Sequence, residues 1–157
     1  MEDEGRENVK TGGREMNYKE AFQKVWDEVA QEIPDVINTP SKVLPVIAFL
    51  TDKKTEHFAV VTLDAAHKVI SMHITSQGIL NKTLVHPREV FIDAITDNSA
   101  TIILAHNHPS GALDPSKEDD EITERLVKAG ELLGIPVLDH IIVGNEGYYS
   151  YQENGKI

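Results

Sequence analysis

An α/β fold, a mixed β-sheet flanked by helices, is what this sequence predicts, and three observations carry the prediction. Helical and extended apolar periodicities follow one another in the order α-α-β-β-α-β-α-β-β. One short run, Thr101 to Leu104, is apolar without interruption, as a strand covered on both faces requires. A length of 157 residues with 40% hydrophobic side chains suffices for one sizeable core.

Each element has its own signal. Residues 1–14 mix charged side chains with Gly12-Gly13 and almost nothing apolar, so a disordered N-terminal arm is expected there and a single folded domain over residues 15–157. Asn17 and Glu20 resemble a capping box, and Ala21, Phe22, Val25, Trp26, Val29 and Ala30 then recur at helical spacing up to Pro34. Ser41 can cap a second helix carrying Val43, Leu44, Ile47, Ala48 and Phe49, with Pro45 in or near its first turn and a strand as the alternative. Phe58–Leu63 and Val69–Thr75 are rich in β-branched residues and flank Asp64-Ala65-Ala66-His67, which reads as a strand pair.

Pro87 suits the first turn of a helix with Val90, Phe91, Ala94 and Ile95 on one side, ending near Asp97-Asn98. After the strand at Thr101–Leu104 comes a loop with Pro109, Gly111 and Pro115. Ser116 opens a long helix whose Ile122, Leu126, Ala129, Leu132 and Leu133 are expected to face the core until Gly134 stops it. Val137–Val143 and Tyr148–Tyr151 supply two more strands around Gly144-Asn145-Glu146-Gly147.

Composition excludes several functions. Fifteen Lys plus Arg against twenty-six Asp plus Glu leave a net charge of −11, which gives no electrostatic footprint for a phosphate backbone, so direct nucleic-acid binding is not expected. Without cysteine there is no disulfide framework, thiol nucleophile or Cys-ligated zinc, and a metal must sit on His and carboxylate. The N-terminal residues hold no apolar signal segment and Val43–Leu50 is too short to span a bilayer, so a cytoplasmic protein without membrane contact is expected.

The chemistry concentrates in His106-Asn107-His108-Pro109-Ser110-Gly111 and the following Pro115-Ser116-Lys117-Glu118-Asp119. Two histidines at i and i+2 on extended chain project to one face, so both imidazoles can reach one cation while Asn107 points away. The Pro and Gly residues between them and Ser116 allow a sharp turn that returns Asp119 toward the histidines. Ser116-x-x-Asp119 alone is an ordinary helix cap; after His106-x-His108 it completes a candidate ligand set. Two nitrogens and a carboxylate leave a tetrahedral position open, and water bound to zinc in such a site can have its pKa lowered to about 7. A carboxylate beside that water would carry its proton, and Glu56, at the entrance to the first predicted strand, is the candidate. Glu89 is the rival, although a helix dipole explains a Glu in the first turn after Pro87. His140 alternates with Leu138 and Ile142 and is read as a core histidine satisfied by a hydrogen bond, while His57, His67, His73 and His86 have no chelate spacing.

These residues resemble the RadC-like branch of the JAB/MPN metalloprotease superfamily, whose JAMM motif is an upstream Glu, a His-x-His, and a Ser and Asp at fixed spacing. The resemblance runs from Thr55 to Tyr151 and includes Val85-His86-Pro87-Arg88-Glu89-Val90-Phe91 and Leu138-Asp139-His140-Ile141-Ile142-Val143-Gly144. It implies a JAB/MPN-like, cytidine deaminase-like three-layer architecture. It further implies one Zn2+ per chain on His106, His108 and Asp119, with Glu56 as general acid/base and Ser116 as donor to a tetrahedral oxyanion. The implied activity is hydrolysis of a peptide or isopeptide bond in a protein or peptide substrate, with ubiquitin-like conjugates as one substrate class of the superfamily. A homo-oligomer or an activating partner is compatible with it. Members of the branch usually carry an N-terminal helix-hairpin-helix region of DNA-binding character, which the residues before Ser41 do not resemble. Gly78-Ile79 replaces the common Gly-Thr, which implies a lost polar contact near the site.

Two other functions are weighed. A metal-dependent nuclease or repair-associated protein is suggested by the family name and the string His106-Asn107-His108, but nuclease HNH residues spread over a larger ββα unit. A non-catalytic interaction scaffold would be expected to have lost the ligands that are complete here.

Overall fold

The computed structural model describes residues 9–11, 14–16, 28, 33–78 and 85–157. The chain divides into two compact units, Met1–Ile33 and Pro34–Ile157. In the first, strands β1 (Val9–Thr11) and β2 (Arg14–Met16) pair antiparallel, with Val9 opposite Met16. The unit that carries the main sheet begins at Pro34. The helix expected between Asn17 and Pro34, with Trp26, lies outside the described residues apart from Glu28.

Among the described residues, the second unit is a five-stranded mixed sheet with three α-helices, in the strand order β4-β3-β5-β6-β7. Helix α1 (Pro40–Ile47) settles the helix-or-strand alternative and runs into a 3-10 turn, Ala48–Asp52. Its N-cap is Thr39 rather than Ser41, because Pro40, whose missing N–H costs nothing at a helix start, takes the first position. Strands β3 (Glu56–Leu63) and β4 (Val69–Gly78) form the predicted pair, which is antiparallel, and helix α2 (Pro87–Thr96) follows.

Strand β5 (Thr101–Asn107) is longer than its apolar run predicts. It continues through His106 and Asn107 because parallel pairing with β6 (Val137–Gly144) extends to Ile142 and Val143. Helix α3 (Lys117–Leu133) makes the crossover between these parallel strands, and β7 (Gly147–Ser150) closes the edge.

Phe58, Val60, Val90, Phe91, Leu104, Ile122 and Leu126 form the core between the sheet and helices α2 and α3. Val43, Val46, Ile47 and Leu50 are buried from α1 and the 3-10 turn, which contact β5 and β6. Ile103, which alternates with Leu104, lines a small cavity with Thr39 and Pro40, so the two helical layers take opposite faces of the sheet. Three residues expected in the core are exposed: Ile95 (58%), Leu132 (89%) and Leu133 (48%). They lie in the last turns of their helices, beyond where the sheet offers cover. Gly134 ends α3 in the left-handed region, φ 71°, as its position predicts. Among the described residues no helix is long and apolar enough to cross a membrane.

Candidate metal centre

The site assembles where β5 ends and α3 begins. Alternation along β5 sends His106 toward the α3 side with Leu104, and His108 follows one step beyond the strand. The chain then turns sharply, with the Gly111 N–H donating to the His108 carbonyl at 2.9 Å. Gly144 at the end of β6 leaves room for this loop: a Cβ there would sit 3.2 Å from the Gly111 carbonyl oxygen and 3.0 Å from Leu113.

Helix α3 starts with a full capping box. Ser116 Oγ accepts from the Asp119 N–H at 3.1 Å, and the Ser116 N–H donates to Asp119 Oδ2 at 2.8 Å. The cap therefore also fixes the carboxylate. Asp119 Oδ1 lies 3.2 Å from His106 Nε2, Oδ2 lies 3.1 Å from His108 Nε2, and the two Nε2 atoms are 3.0 Å apart. One ligand atom from each of the three residues falls within 4.8 Å of the others. His106 and Asp119 are buried, while His108 keeps 12% of its side chain exposed, so the group opens to solvent on the His108 side.

The electrostatics suit a cation. Burial works against the Asp119 carboxylate, but hydrogen bonds with His106 and His108 hold its carboxyl well below the usual range. The hydrogen bond to Asp119 raises the His108 imidazole above its ordinary value, against the effect of burial. A proton on His108 is thus stabilised by the same carboxylate that would hold a metal.

The donor set fits zinc. His108 Nδ1 donates to the Ala112 carbonyl at 2.8 Å, and His106 Nδ1 lies 2.7 Å from His140 Nε2, so both rings turn Nε2 toward Asp119. Two imidazole nitrogens and one carboxylate oxygen are ligands that zinc accepts with a fourth position left over.

Glu56 is the first residue of β3, half-buried, two residues before Phe58, whose partner across the sheet is His106. Its charge is the smallest of the causes that raise the His108 value, and the antiparallel register puts Glu56 at the same end of the sheet as His106 and His108. Ser116 is exposed and its Oγ serves the helix cap. Glu89 sits exposed in the first turn of α2, where the dipole reading put it.

Asn107 does point away from the ligands, and it is not idle. Its Oδ1 accepts from the His57 N–H at 2.7 Å, and its Nδ2 donates to the carbonyls of Thr55 at 3.1 Å and Lys53 at 3.4 Å. The residue between the two histidines thereby grips the backbone on both sides of Glu56. Spacing alone does not reveal this, since Lys53 and Asn107 are 54 positions apart.

His140 is fully buried and hydrogen-bonded, as expected of a core histidine, and its partner is His106 of the candidate ligand group. Its ring stacks on Tyr151 with centroids 5.1 Å apart and meets the edge of Phe58 at 5.4 Å. Thr123, one helical turn after Asp119, reaches the other His140 nitrogen at 2.6 Å. Sequence reasoning named neither contact; an i, i+4 hydroxyl after Asp119 was the available signal.

A mixed sheet between helical layers, with two imidazoles and a carboxylate converging where a central strand ends, is the arrangement of a JAB-type domain. Residues 37–156 match the RadC-like JAB domain family, and the chain belongs to that family. Among its relatives is a UPF0758 protein of Rubrobacter xylanophilus, 47% identical over 123 residues, covering 78% of this chain and 54% of the relative. A UPF0758 protein of Thermosynechococcus vestitus is 44% identical over 119 residues (75% and 48%), and one of Alkaliphilus metalliredigens 56% identical over 100 residues (64% and 43%). The chain spans about half the length of the curated relatives it matches.

Proposed function

We propose that the protein is a cytoplasmic zinc-dependent hydrolase that cleaves a peptide or isopeptide bond in a protein or peptide substrate, a ubiquitin-like conjugate being one class that fits. The observation that carries this reading is the convergence of His106, His108 and Asp119 ligand atoms within 4.8 Å, open to solvent on one side, with Glu56 at the same end of the sheet.

Zinc held by these three residues would supply Lewis acidity, polarising a substrate carbonyl and acidifying water. The chain's own groups do the rest. Glu56 takes the proton of the attacking water and returns it to the departing amine, so one carboxyl serves both steps. The Ser116 hydroxyl, whose lone pair caps the helix, has its hydrogen available for the developing oxyanion. Asp119 stays ionised because both imidazoles favour its charge. Asn107 keeps the Glu56 backbone against β5.

The test is Glu56→Gln in protein with its metal content verified, assayed against peptide and isopeptide substrates. Turnover is expected to fall by about 100-fold or more with zinc retained. A fully active Gln variant would remove Glu56 from the reaction.

A further inference from the structure

We propose that Tyr151 braces the metal centre: its ring backs the histidine that supports His106, its hydroxyl anchors the turn of α3 that carries Asp119, and one side chain thereby holds two ligand-bearing elements in register. The inference rests on the metal-site reading above and adds to it a residue from the segment after β7.

Each of these ligands is fixed within its own element. Strand alternation aims His106, and the capping box sets the Asp119 carboxylate relative to the start of α3. Neither device sets the distance between β5 and α3, and a metal site tolerates errors of only about 0.2 Å in its ligand distances. Groups that touch both sides must supply that precision.

Tyr151 reaches the His106 side through His140. Its backbone N–H donates to the His140 carbonyl at 3.0 Å, and its ring lies nearly parallel to the His140 imidazole, with centroids 5.1 Å apart and 12° between the planes. Phe58 meets the same imidazole edge-on, so aromatic contacts restrict its tilt, and its Nε2 lies 2.7 Å from His106 Nδ1.

The α3 side is reached through the hydroxyl. Tyr151 is fully buried, and a buried phenol needs an acceptor. The Tyr151 hydroxyl donates to Asp120 Oδ1 at 2.9 Å, on the residue directly after Asp119. Lys156 joins the same carboxylate, with Nζ 3.0 Å from Oδ1 and 3.3 Å from Oδ2, and lies 5.5 Å from the centre of the Tyr151 ring. The Lys156 N–H donates to the Tyr151 carbonyl at 2.9 Å, so the segment closes on itself around the phenol. A tyrosine that only filled the core could satisfy its hydroxyl on any carbonyl; this one bonds to the turn that carries a ligand. Thr123 makes a second link from α3 to His140, at 2.6 Å, so losing the phenol hydroxyl should loosen the centre without dismantling it.

Tyr151 is a positioning residue, and its test reads geometry as well as affinity. Tyr151→Phe keeps the ring and removes the hydroxyl. It should weaken zinc binding by about tenfold in a chelator competition, the low end for loss of an outer partner, and shift the visible absorption bands of the cobalt-loaded protein. Made on an Asp120→Ala background, where the contact is already gone, the same change should cost less than about twofold. In the metal-free protein, hydrogen exchange at the Asp119 and Asp120 amides should quicken by about tenfold in Tyr151→Phe, with β3 amides exchanging as in the wild type.

Zinc affinity within about twofold of the wild type in Tyr151→Phe, or a tenfold loss that persists undiminished on the Asp120→Ala background, would overturn the brace. Should Tyr151→Phe fail to fold, Asp120→Ala, at a half-exposed side chain, replaces it: faster exchange at the Asp119 amide supports the brace, and unchanged exchange defeats it. The two readings fail separately. Quickened exchange in Tyr151→Phe with no zinc bound by the wild type defeats the metal site alone, and zinc held equally by wild type and Tyr151→Phe defeats the brace alone.

Discussion

Two aspartates of the sheet unit are almost fully buried, and their surroundings set them apart. Asp119, at the start of α3, faces the imidazoles of His106 and His108, whose hydrogen bonds outweigh burial and hold its carboxyl low. Asp139, in β6, accepts from the Ser150 hydroxyl at 2.6 Å and from the backbone N–H groups of His140 at 2.7 Å and Gln152 at 3.0 Å. Burial dominates there and pushes the carboxyl up, despite those three donors. Burial by itself thus favours a neutral acid; a charged buried carboxylate needs cationic neighbours. Asp119 belongs to a group that could hold a cation, and Asp139 ties the start of β6 to β7 and the segment after it.

The largest separation between the two should come from alanine substitutions. Asp119→Ala is expected to lower zinc affinity by more than about 100-fold, beyond the loss of an outer partner. Asp139→Ala should leave it within about threefold and instead cost about 2–3 kcal/mol in urea unfolding, since buried donors lose their acceptor. Equal zinc loss in both variants would erase the distinction.

The next effect concerns the grip on Glu56. Asn107→Ala should reduce turnover by about 10–100-fold through misplacement of the base, with zinc content unchanged. Metal analysis beside steady-state kinetics checks this, and loss of zinc in step with activity would assign Asn107 to the ligands instead.

Proton competition at the metal site is smaller and graded. Because the His108 imidazole is raised, mainly by its hydrogen bond with Asp119, it must release a proton when zinc binds over a range reaching above the ordinary histidine value. Zinc affinity should therefore rise by about tenfold per pH unit below that range and level off above it. A flat profile across the same window would show that no proton is displaced.

The smallest effect is on the pH dependence of metal-free stability. For Asp139 the folded value is raised, so its contribution is complete below the ordinary carboxylate range and is lost as pH rises through the folded value. For Asp119 the folded value is lowered, so its contribution is present above the ordinary range and is lost as pH falls below it. Relative to wild type, Asp139→Asn should accordingly gain stability as pH increases from acid toward neutral. Denaturant midpoints at several pH values check the sign.

Much of this was legible where the physics is local. Pro87 and Gly134 mark helix boundaries by backbone restriction alone, and Ser116-x-x-Asp119 announces a cap that the structure contains in full. His106-x-His108 could be read as a shared face because strand alternation is a property of one segment. The end of β5 could not, because its polar last residues are held by pairing with β6, which is set by distant chain. Ile95, Leu132 and Leu133 kept the helical period past the point where the sheet offers cover, so periodicity overcounted the core. The links from Asn107 to Lys53 and from His140 to His106 and Thr123 join residues 54, 34 and 17 positions apart, and no spacing rule reaches them. Glu56 stood out through family resemblance, since a Glu at a strand entrance otherwise reads as a solvated charge.

The most direct test of the central claim is anomalous diffraction at the zinc edge from protein purified without added metal. One ion bonded to His106 Nε2, His108 Nε2 and an Asp119 oxygen, at about 2.0–2.2 Å from each, is the predicted result. Fully loaded protein with its ion on other residues, or this trio holding none after incubation with zinc, would contradict it.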